Sequence, residues 1–327
     1  MPAVKPLRVG LLGWSGIARR RIVPALPGSG CAVLAAVGSR GPAADRPPGV
    51  PVERYEELLG RPDVDLIYNS LPNHLHEEWT LRALAAGKHV LCEKPMGLSP
   101  ASVERMMEAA RAHGRVLLEN LMFLQHPQHE VVRQFVQGGG LGELTAVRSV
   151  FTITLADPAN HRFDPACGGG ACADLLVYGA GTAQLFLGGD LEDLSGFRTM
   201  EGGVDVTADG LGRTRAGQVF SFTVSFRQPY ECAYELIGTR GKARLERAYT
   251  TPPETSAQLT VQRDGDETII ALPKADHFAE TVKLVARHVA DPSLQEAYFK
   301  ELRQRHQLLD QIRQATKPLR PDHVSSR

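Results

Sequence analysis

A lysine set between a glutamate and a proline, Glu93-Lys94-Pro95, and a carboxylate and phenol four residues apart, Asp174 and Tyr178, carry the chain's clearest chemical potential. Lys94 follows the apolar run His89-Val90-Leu91-Cys92, so its ammonium should emerge at the carboxyl end of a buried strand, where open parallel sheets bind ligands. A spacing of four puts Asp174 and Tyr178 on one helical face. A neighbouring cation would draw the phenol's pKa down and let it deliver a proton. The reading therefore requires that Lys94 and Tyr178 meet. Without a cation they are a buried tyrosine and a helix-start acid, and Glu-Lys-Pro alone is equally a solvated surface turn. Arg162, which heads the segment leading to Asp174, and Gln125-His126 are candidate substrate contacts.

A second group of residues could hold a dinucleotide. Gly13-Trp14-Ser15-Gly16-Ile17-Ala18 lies where a first strand meets a first helix, the place of a Gly-x-Gly-x-x-Gly/Ala turn, whose helix start offers free N–H groups to a diphosphate. Ser15 replaces the second glycine and could itself donate to a phosphate; the alternative is an ordinary tight turn. The second strand ends in Gly38-Ser39-Arg40 with no acid for a ribose hydroxyl, and a hydroxyl beside a guanidinium suits a 2′-phosphate, so NADPH/NADP+ is favoured over NAD. A solvated loop arginine is the other reading. Leu71-Pro72-Asn73 ends the third strand and should turn over the nicotinamide side. His74 and His76 follow; each could be a ligand or an acid, the other reading being the surface of a helix start, and their spacing of two does not make a metal pair.

These residues need a scaffold. Residues 7 to 120 alternate strand-like runs (Leu7–Leu12, Val33–Val37, Val64–Leu71, His89–Leu91, Val116–Glu119) with helical ones, the pattern of a parallel sheet covered by helices. The first helix should stop near Pro24. The next should open at Asn73 and close at Gly87, and another should run from Ser99-Pro100 to Gly114 with Val103, Met106, Met107 and Ala110 inward. The second half is β-rich: Thr145–Leu155, Val204–Leu211, Val219–Phe226, Ala233–Ile237, Ala243–Glu246, Leu259–Gln262 and Thr268–Leu272 predict an antiparallel or mixed sheet. One helix near Asp174–Phe186 interrupts it, helices near Asp276–Val289 and Gln295–Gln314 close the chain, and Pro318 onward reads as a tail.

With 327 residues, 37 basic and 37 acidic, composition suits a globular protein of about two domains and argues against nucleic acid. No run approaches the roughly 18 apolar residues of a membrane span. The amino terminus lacks a signal-peptide core, which predicts a cytoplasmic location. The five cysteines are scattered without zinc-ligand spacing and read as reduced thiols; no metal is expected.

The glycine turn, Pro72-Asn73-x-x-His76, the run Ala85-Ala86-Gly87-Lys88-His89-Val90-Leu91-Cys92-Glu93-Lys94-Pro95, and Gly168-Gly169-Gly170 followed by Asp174 and Tyr178 together resemble the glucose–fructose oxidoreductase/inositol dehydrogenase/MocA (Gfo/Idh/MocA) family. The resemblance implies an α/β chain: a Rossmann doubly wound parallel sheet over residues 1–122, then an α+β substrate-binding and oligomerisation domain over 123–327 with a large, mostly antiparallel, open-faced sheet. It implies cofactor contacts from Gly13, Trp14, Ser15, Gly16, Ile17, Ser39, Arg40, Leu71, Pro72, Asn73, His76, Glu93 and Lys94. Substrate contacts would come from Lys94, Gln125, His126, Arg162, Asp174 and Tyr178, with Lys94, Tyr178 and Asp174 catalytic. Tyr178, where histidine is frequent, and the run Arg19-Arg20-Arg21 look closest to NADPH-dependent nucleotide-sugar 3-ketoreductases of deoxysugar biosynthesis. The expected reaction is reduction of the C3 ketone of a dTDP-linked 3-keto-6-deoxysugar. The alternatives are an NADP-dependent dehydrogenase of a free sugar, polyol or dihydrodiol, and a non-catalytic NADP-binding regulator. A homodimer or homotetramer through the open sheet is also implied. Ser15 and Leu176 depart from the family's glycines.

Overall fold

The computed structural model describes residues 5–41 and 45–319. By contact the chain divides into two units, residues up to Gln125 with Asp276–Arg303, and His126–Ala275 with Gln304 onward.

In the first unit the apolar runs become six parallel strands, β1 (Leu7–Leu12), β2 (Ala32–Gly38), β3 (Val52–Glu53), β4 (Leu66–Asn69), β5 (His89–Cys92) and β6 (Leu117–Glu119), in the order β3-β2-β1-β4-β5-β6. Helices on the faces make the strands apolar on both sides, as the wholly buried β4 and β6 show. The chain goes out from β1 to β3 and returns to β4, so the carboxyl ends of β1 and β4 are neighbours at the point where strand order reverses.

The covering helices follow their caps where caps exist. In α4 (Pro100–His113) Ser99 Oγ accepts the Ser102 N–H at 3.2 Å, Gly114 ends the helix at φ 60°, and Val103, Met106, Met107 and Ala110 are buried. Two expectations need correction. Pro24 does not stop the first helix. A π-helical turn, Ala18–Ile22, runs directly into α1 (Val23–Ser29), and Pro24 sits within this continuous helical stretch. Asn73 does not cap a helix either; it begins a 3-10 turn, Asn73–Leu75, ahead of α3 (His76–Ala85). A short α2 (Tyr55–Gly60) completes the covering elements before residue 122.

The second unit begins with α5 (Pro127–Gln137), a helix the sequence reading passed over. Its nine-stranded sheet contains β7 (Leu144–Thr154), β8 (Glu192–Glu201), β9 (Val204–Arg213), β10 (Val219–Ser225), β11 (Arg227–Gly238), β12 (Gly241–Glu246), β13 (Gln258–Arg263), β14 (Asp266–Ala271) and β15 (Thr316–Pro318). Their order is β14-β13-β12-β11-β7-β10-β9-β8-β15, antiparallel except at β7/β10 and β8/β15. Strand periodicity sorts the faces. Val147, Phe151, Phe220, Phe222, Leu236 and Leu245 are buried on the side where α6 (Ala171–Leu187) packs, while Phe197, Leu211, Val219 and Ile269 are exposed on the other. Pro318, assigned to a tail by sequence, ends a paired strand instead; Arg320 onward lies outside the described residues.

The first unit, expected over residues 1–122, also takes in later segments of the chain. α7 (His277–Ala290) packs on α1, and the start of α8 (Gln295–Ala315) closes the β6 edge. There Gln295 Nε2 donates to Leu117 O at 2.9 Å, Tyr298 Oη accepts the Glu119 N–H at 2.8 Å, and Phe299 and Leu302 join the core. A strand edge left bare would invite pairing, and a returning helix covers it.

Candidate active site

The turn after β1 is tightly built. Gly13 has φ 88°, and a Cβ there would lie 3.1 Å from Leu71 Cδ2, so glycine is needed both for the backbone and for the close approach of the segment leaving β4. Ser15 Oγ accepts the Ala18 N–H at 3.1 Å and donates to Ser70 Oγ at 2.9 Å, and Ser70 in turn donates to Leu12 O at 3.1 Å. The Ser15 hydroxyl expected to donate to phosphate is thus committed to the turn itself. Trp14, Gly16 and Ile17 are half-buried along the same loop.

At the end of β2, Ser39 Oγ accepts the Gly41 N–H at 3.3 Å and Arg40 is exposed, with no ion pair among the described residues. The sheet brings one acid near: Glu53 of β3 pairs with Gly38. Arg61 engages that carboxylate, which leaves a hydroxyl and a free guanidinium at the ribose end. The glycine cradle, the strand-order reversal and this pair fit a dinucleotide carrying a 2′-phosphate.

The Lys94 turn is held by residues of the neighbouring strands. Tyr68 of β4 and Asn120, the latter at 2.6 Å, both donate to Glu93 Oε1, while the Lys94 N–H lies 3.2 Å from Glu93 Oε2. Burial raises the Glu93 pKa, opposed by those hydrogen bonds and the Lys94 charge. Burial and the Glu93 charge push Tyr68 up, so its phenol keeps its proton and serves as donor. The Lys94–Pro95 peptide is cis. Beyond it, Met96 N–H donates to the buried Glu119 carboxylate at 2.9 Å.

One reading put His76 on the surface of a helix start. It is 1% exposed instead, its Nδ1 2.9 Å from Pro95 O and its Nε2 2.8 Å from Leu71 O. The reason lies in Asn69, buried at the end of β4, whose Nδ2 donates to His76 O at 3.1 Å and to Thr80 Oγ1 at 3.2 Å and so pulls the first turn of α3 against the sheet. Pro72 and Asn73 are half-buried just before it.

In the second unit three glycines set the entry to α6. A Cβ at Gly169 would press on Arg162 O and lie 2.8 Å from Asp164 O, and Gly170 has φ 121° with Asp205 Oδ1 2.6 Å from its would-be Cβ. The run lets residues 162–164 fold against the helix start, where Gly170 N–H donates to Arg162 O at 2.9 Å. Arg162 Nε then reaches Asp174 Oδ2 at 2.8 Å. Asp174 therefore binds Arg162, so two of the expected substrate contacts are paired with each other. Tyr178, 4% exposed, stands edge-on to Phe151 with ring centroids 4.9 Å apart and tilted over Tyr249 at 5.3 Å. Tyr249 is itself fixed by Ser149 at 2.7 Å and Thr182 at 3.1 Å. This packing gives the phenol one orientation.

Gln125 is half-buried at the end of a 3-10 turn. His126, also expected to contact substrate, is 1% exposed and uses Nδ1 to accept the Gln128 N–H at 3.2 Å, which caps α5. Tyr68, Ser70, Glu119, Asn120 and Asp205 escaped sequence reasoning. The available signal was polarity inside apolar runs, as in Tyr68-Asn69-Ser70 and Glu119-Asn120. Among the described residues no three His, Cys, Asp or Glu side chains group to hold a metal ion, and no helix is long and apolar enough to cross a membrane.

Two family models match the chain. One, the oxidoreductase family with NAD-binding Rossmann fold, covers residues 7–121, and the other, the GFO/IDH/MocA C-terminal domain, covers residues 129–244. The chain belongs to the GFO/IDH/MocA oxidoreductase family. Within it, the chain is 38% identical to a dTDP-3,4-didehydro-2,6-dideoxy-alpha-D-glucose 3-reductase of Saccharopolyspora spinosa, over 87% of this chain and 88% of that protein. It is 36% identical to the 3-reductase of that name from Actinomadura kijaniata, over 94% and 95%. The crystal structure of a 3-ketoreductase from Actinomadura kijaniata in complex with NADP and TDP-benzene superposes with a TM-score of 0.93 at 34% identity, covering 96% of this chain and 99% of that one. In GFO/IDH/MocA terms, the two sheets described above are the family's Rossmann and C-terminal domains.

Proposed function

We propose that this protein reduces the C3 ketone of a dTDP-linked 3-keto-6-deoxysugar with NADPH. Near-full-length likeness to dTDP-sugar 3-reductases, in a chain that carries Lys94 after its fifth parallel strand and Tyr178 on α6, supports the reading. The turn Gly13–Ile17, Ser39-Arg40 and the segment Leu71–Asn73 would hold NADPH, which when bound supplies the hydride. Lys94 holds the ketone oxygen and opposes the negative charge that grows on it. Tyr178 gives that oxygen its phenolic proton, leaving a hydroxyl, and takes a proton back from solvent. Glu93 orients the Lys94 backbone. Asp174 positions Arg162, whose charge it offsets, so Arg162 is a weak sole partner for a diphosphate.

Tyr178→Phe should lower turnover of the keto-sugar about 100-fold or more while NADPH affinity, followed by fluorescence titration, stays within about twofold. Unchanged turnover would remove the tyrosine from the mechanism. Oxidation of a free pentose or dihydrodiol with NADP+, without turnover of the nucleotide sugar, would replace the substrate. The exposed Phe197, Leu211, Val219 and Ile269 on the open sheet face support a homodimer or homotetramer through that face, as does the family resemblance. Light scattering should report two or four copies, reduced by Phe197→Lys.

A further inference from the structure

We propose that His76 is a positioning residue: by bridging the carbonyls of Leu71 and Pro95 it fixes the spacing between the segment leaving β4 and the turn that carries Lys94. The catalytic consequence rests on the reductase reading above; the tie itself does not.

The geometry is specific. The ring is 1% exposed and its two nitrogens lie 2.9 Å from Pro95 O and 2.8 Å from Leu71 O, so both edges are used and neither faces solvent. Pro95 O is one residue beyond Lys94. Leu71 lies against the Gly13 cradle, where a Cβ would touch its Cδ2 at 3.1 Å. One imidazole therefore joins the two carboxyl-end segments whose relative placement decides where an ammonium stands against a ligand lying on the glycine turn. The helix that supplies the ring is anchored by Asn69 through His76 O and Thr80, and the residue after Pro95 is anchored by Glu119 through Met96 N–H at 2.9 Å.

Two buried carbonyls at these distances call for donors. A neutral ring donates to one of them and a charged ring to both. Burial pulls the ring's proton affinity down and Lys94 adds to that, while the two carbonyls and Glu119 pull it up. An apolar side chain of similar bulk would fill the space and leave both carbonyls unmatched. Misplacing a reacting group by about 1 Å costs on the order of 100-fold in rate with little change in ground-state binding, and that split is the signature to look for.

The test compares His76→Gln, which keeps one donor, with His76→Leu, which keeps none, on the full chain. Turnover, KM for the keto-sugar, NADPH affinity and thermal midpoint are measured. In ligand-free protein with isotopically labelled lysine, the Lys94 side-chain NMR signal, assigned through Lys94→Arg, is followed as well. Expected are an about tenfold loss of kcat in His76→Gln and a roughly 100-fold loss in His76→Leu, KM and NADPH affinity within about twofold, and a displaced Lys94 signal in both. A His76→Gln protein with kcat at the parent's level and an unmoved Lys94 signal overturns the proposal even if His76→Leu fails to fold. So does a loss in either variant confined to the thermal midpoint. If the parent reduces no keto-sugar, the reductase reading fails alone, and the Lys94 signal still decides the tie.

Discussion

Ser15 shows how one side chain can stand in for a missing glycine. Its hydroxyl satisfies the Ala18 N–H at the start of the first helical turn and links to Ser70, joining the ends of β1 and β4. Restoring the familiar glycine should therefore weaken this turn. Ser15→Gly and Ser15→Ala are each expected to lose about 1 kcal/mol in urea unfolding, and Ser15→Gly should bind NADPH no more tightly than the parent in a fluorescence titration. Tighter binding by the glycine variant would show that the serine only obstructs phosphate. Lys94, Asp174 and Tyr178 were legible in the sequence because their types and spacings are unusual. The partners of the Lys94 turn, apart from His76, were not. Tyr68, Glu119 and Asn120 come from separate segments, and only the parallel register of β4, β5 and β6 gathers them around one turn.

The helix that carries Tyr178 depends on its approach. Gly168, Gly169 and Gly170 let residues 162–164 lie against the amino terminus of α6, and Asp205 of β9 accepts the Cys172 N–H at 2.6 Å, a carboxylate at the positive end of the helix. Gly169 is the position with least tolerance, because the atoms around it are backbone and cannot swing away. Gly169→Ala should cost about 1–3 kcal/mol and loosen the Arg162–Asp174 pair, read as a lower urea midpoint together with a raised KM. An alanine protein as stable as the parent would mean that the loop has another place to go. Helices with strong punctuation, such as α4 between Ser99 and Gly114, were readable to within a residue. Those lacking side-chain caps, such as the π turn before α1, were misjudged, because packing sets their limits and packing does not show in a local window.

For the chain as a whole, the parallel sheet was readable from alternation, but not the return of α7 and α8, since amphipathic helices announce an apolar face and not its partner. The sheet they help to close also sets an acid limit. His89, in β5, accepts the Val116 N–H on Nδ1 at 3.0 Å, a bond that only the neutral ring can make. Burial, helped by Arg115, lowers its pKa to about 4. Burial also lowers those of His76 and His288. The unfolded chain binds protons on these rings below about pH 6.5, and the folded chain resists until about pH 4 at His89, so stability is full above pH 6.5 and falls across that window. His89 is partly solvated, so its share is about 1–2 kcal/mol after allowance for screening. Asp63, held down to about 2 by Arg61 and Arg8, affects a separate, lower window. Both tryptophans, Trp14 and Trp79, lie in the first unit, so their fluorescence reports this unit's unfolding. Urea midpoints should drop between pH 7.5 and 4.5 in the parent and drop less in His89→Asn, whose amide oxygen can take the Val116 N–H without titrating. An identical drop in both proteins would shift the acid sensitivity to His76 and His288, where the same measurement on His288→Asn would find it.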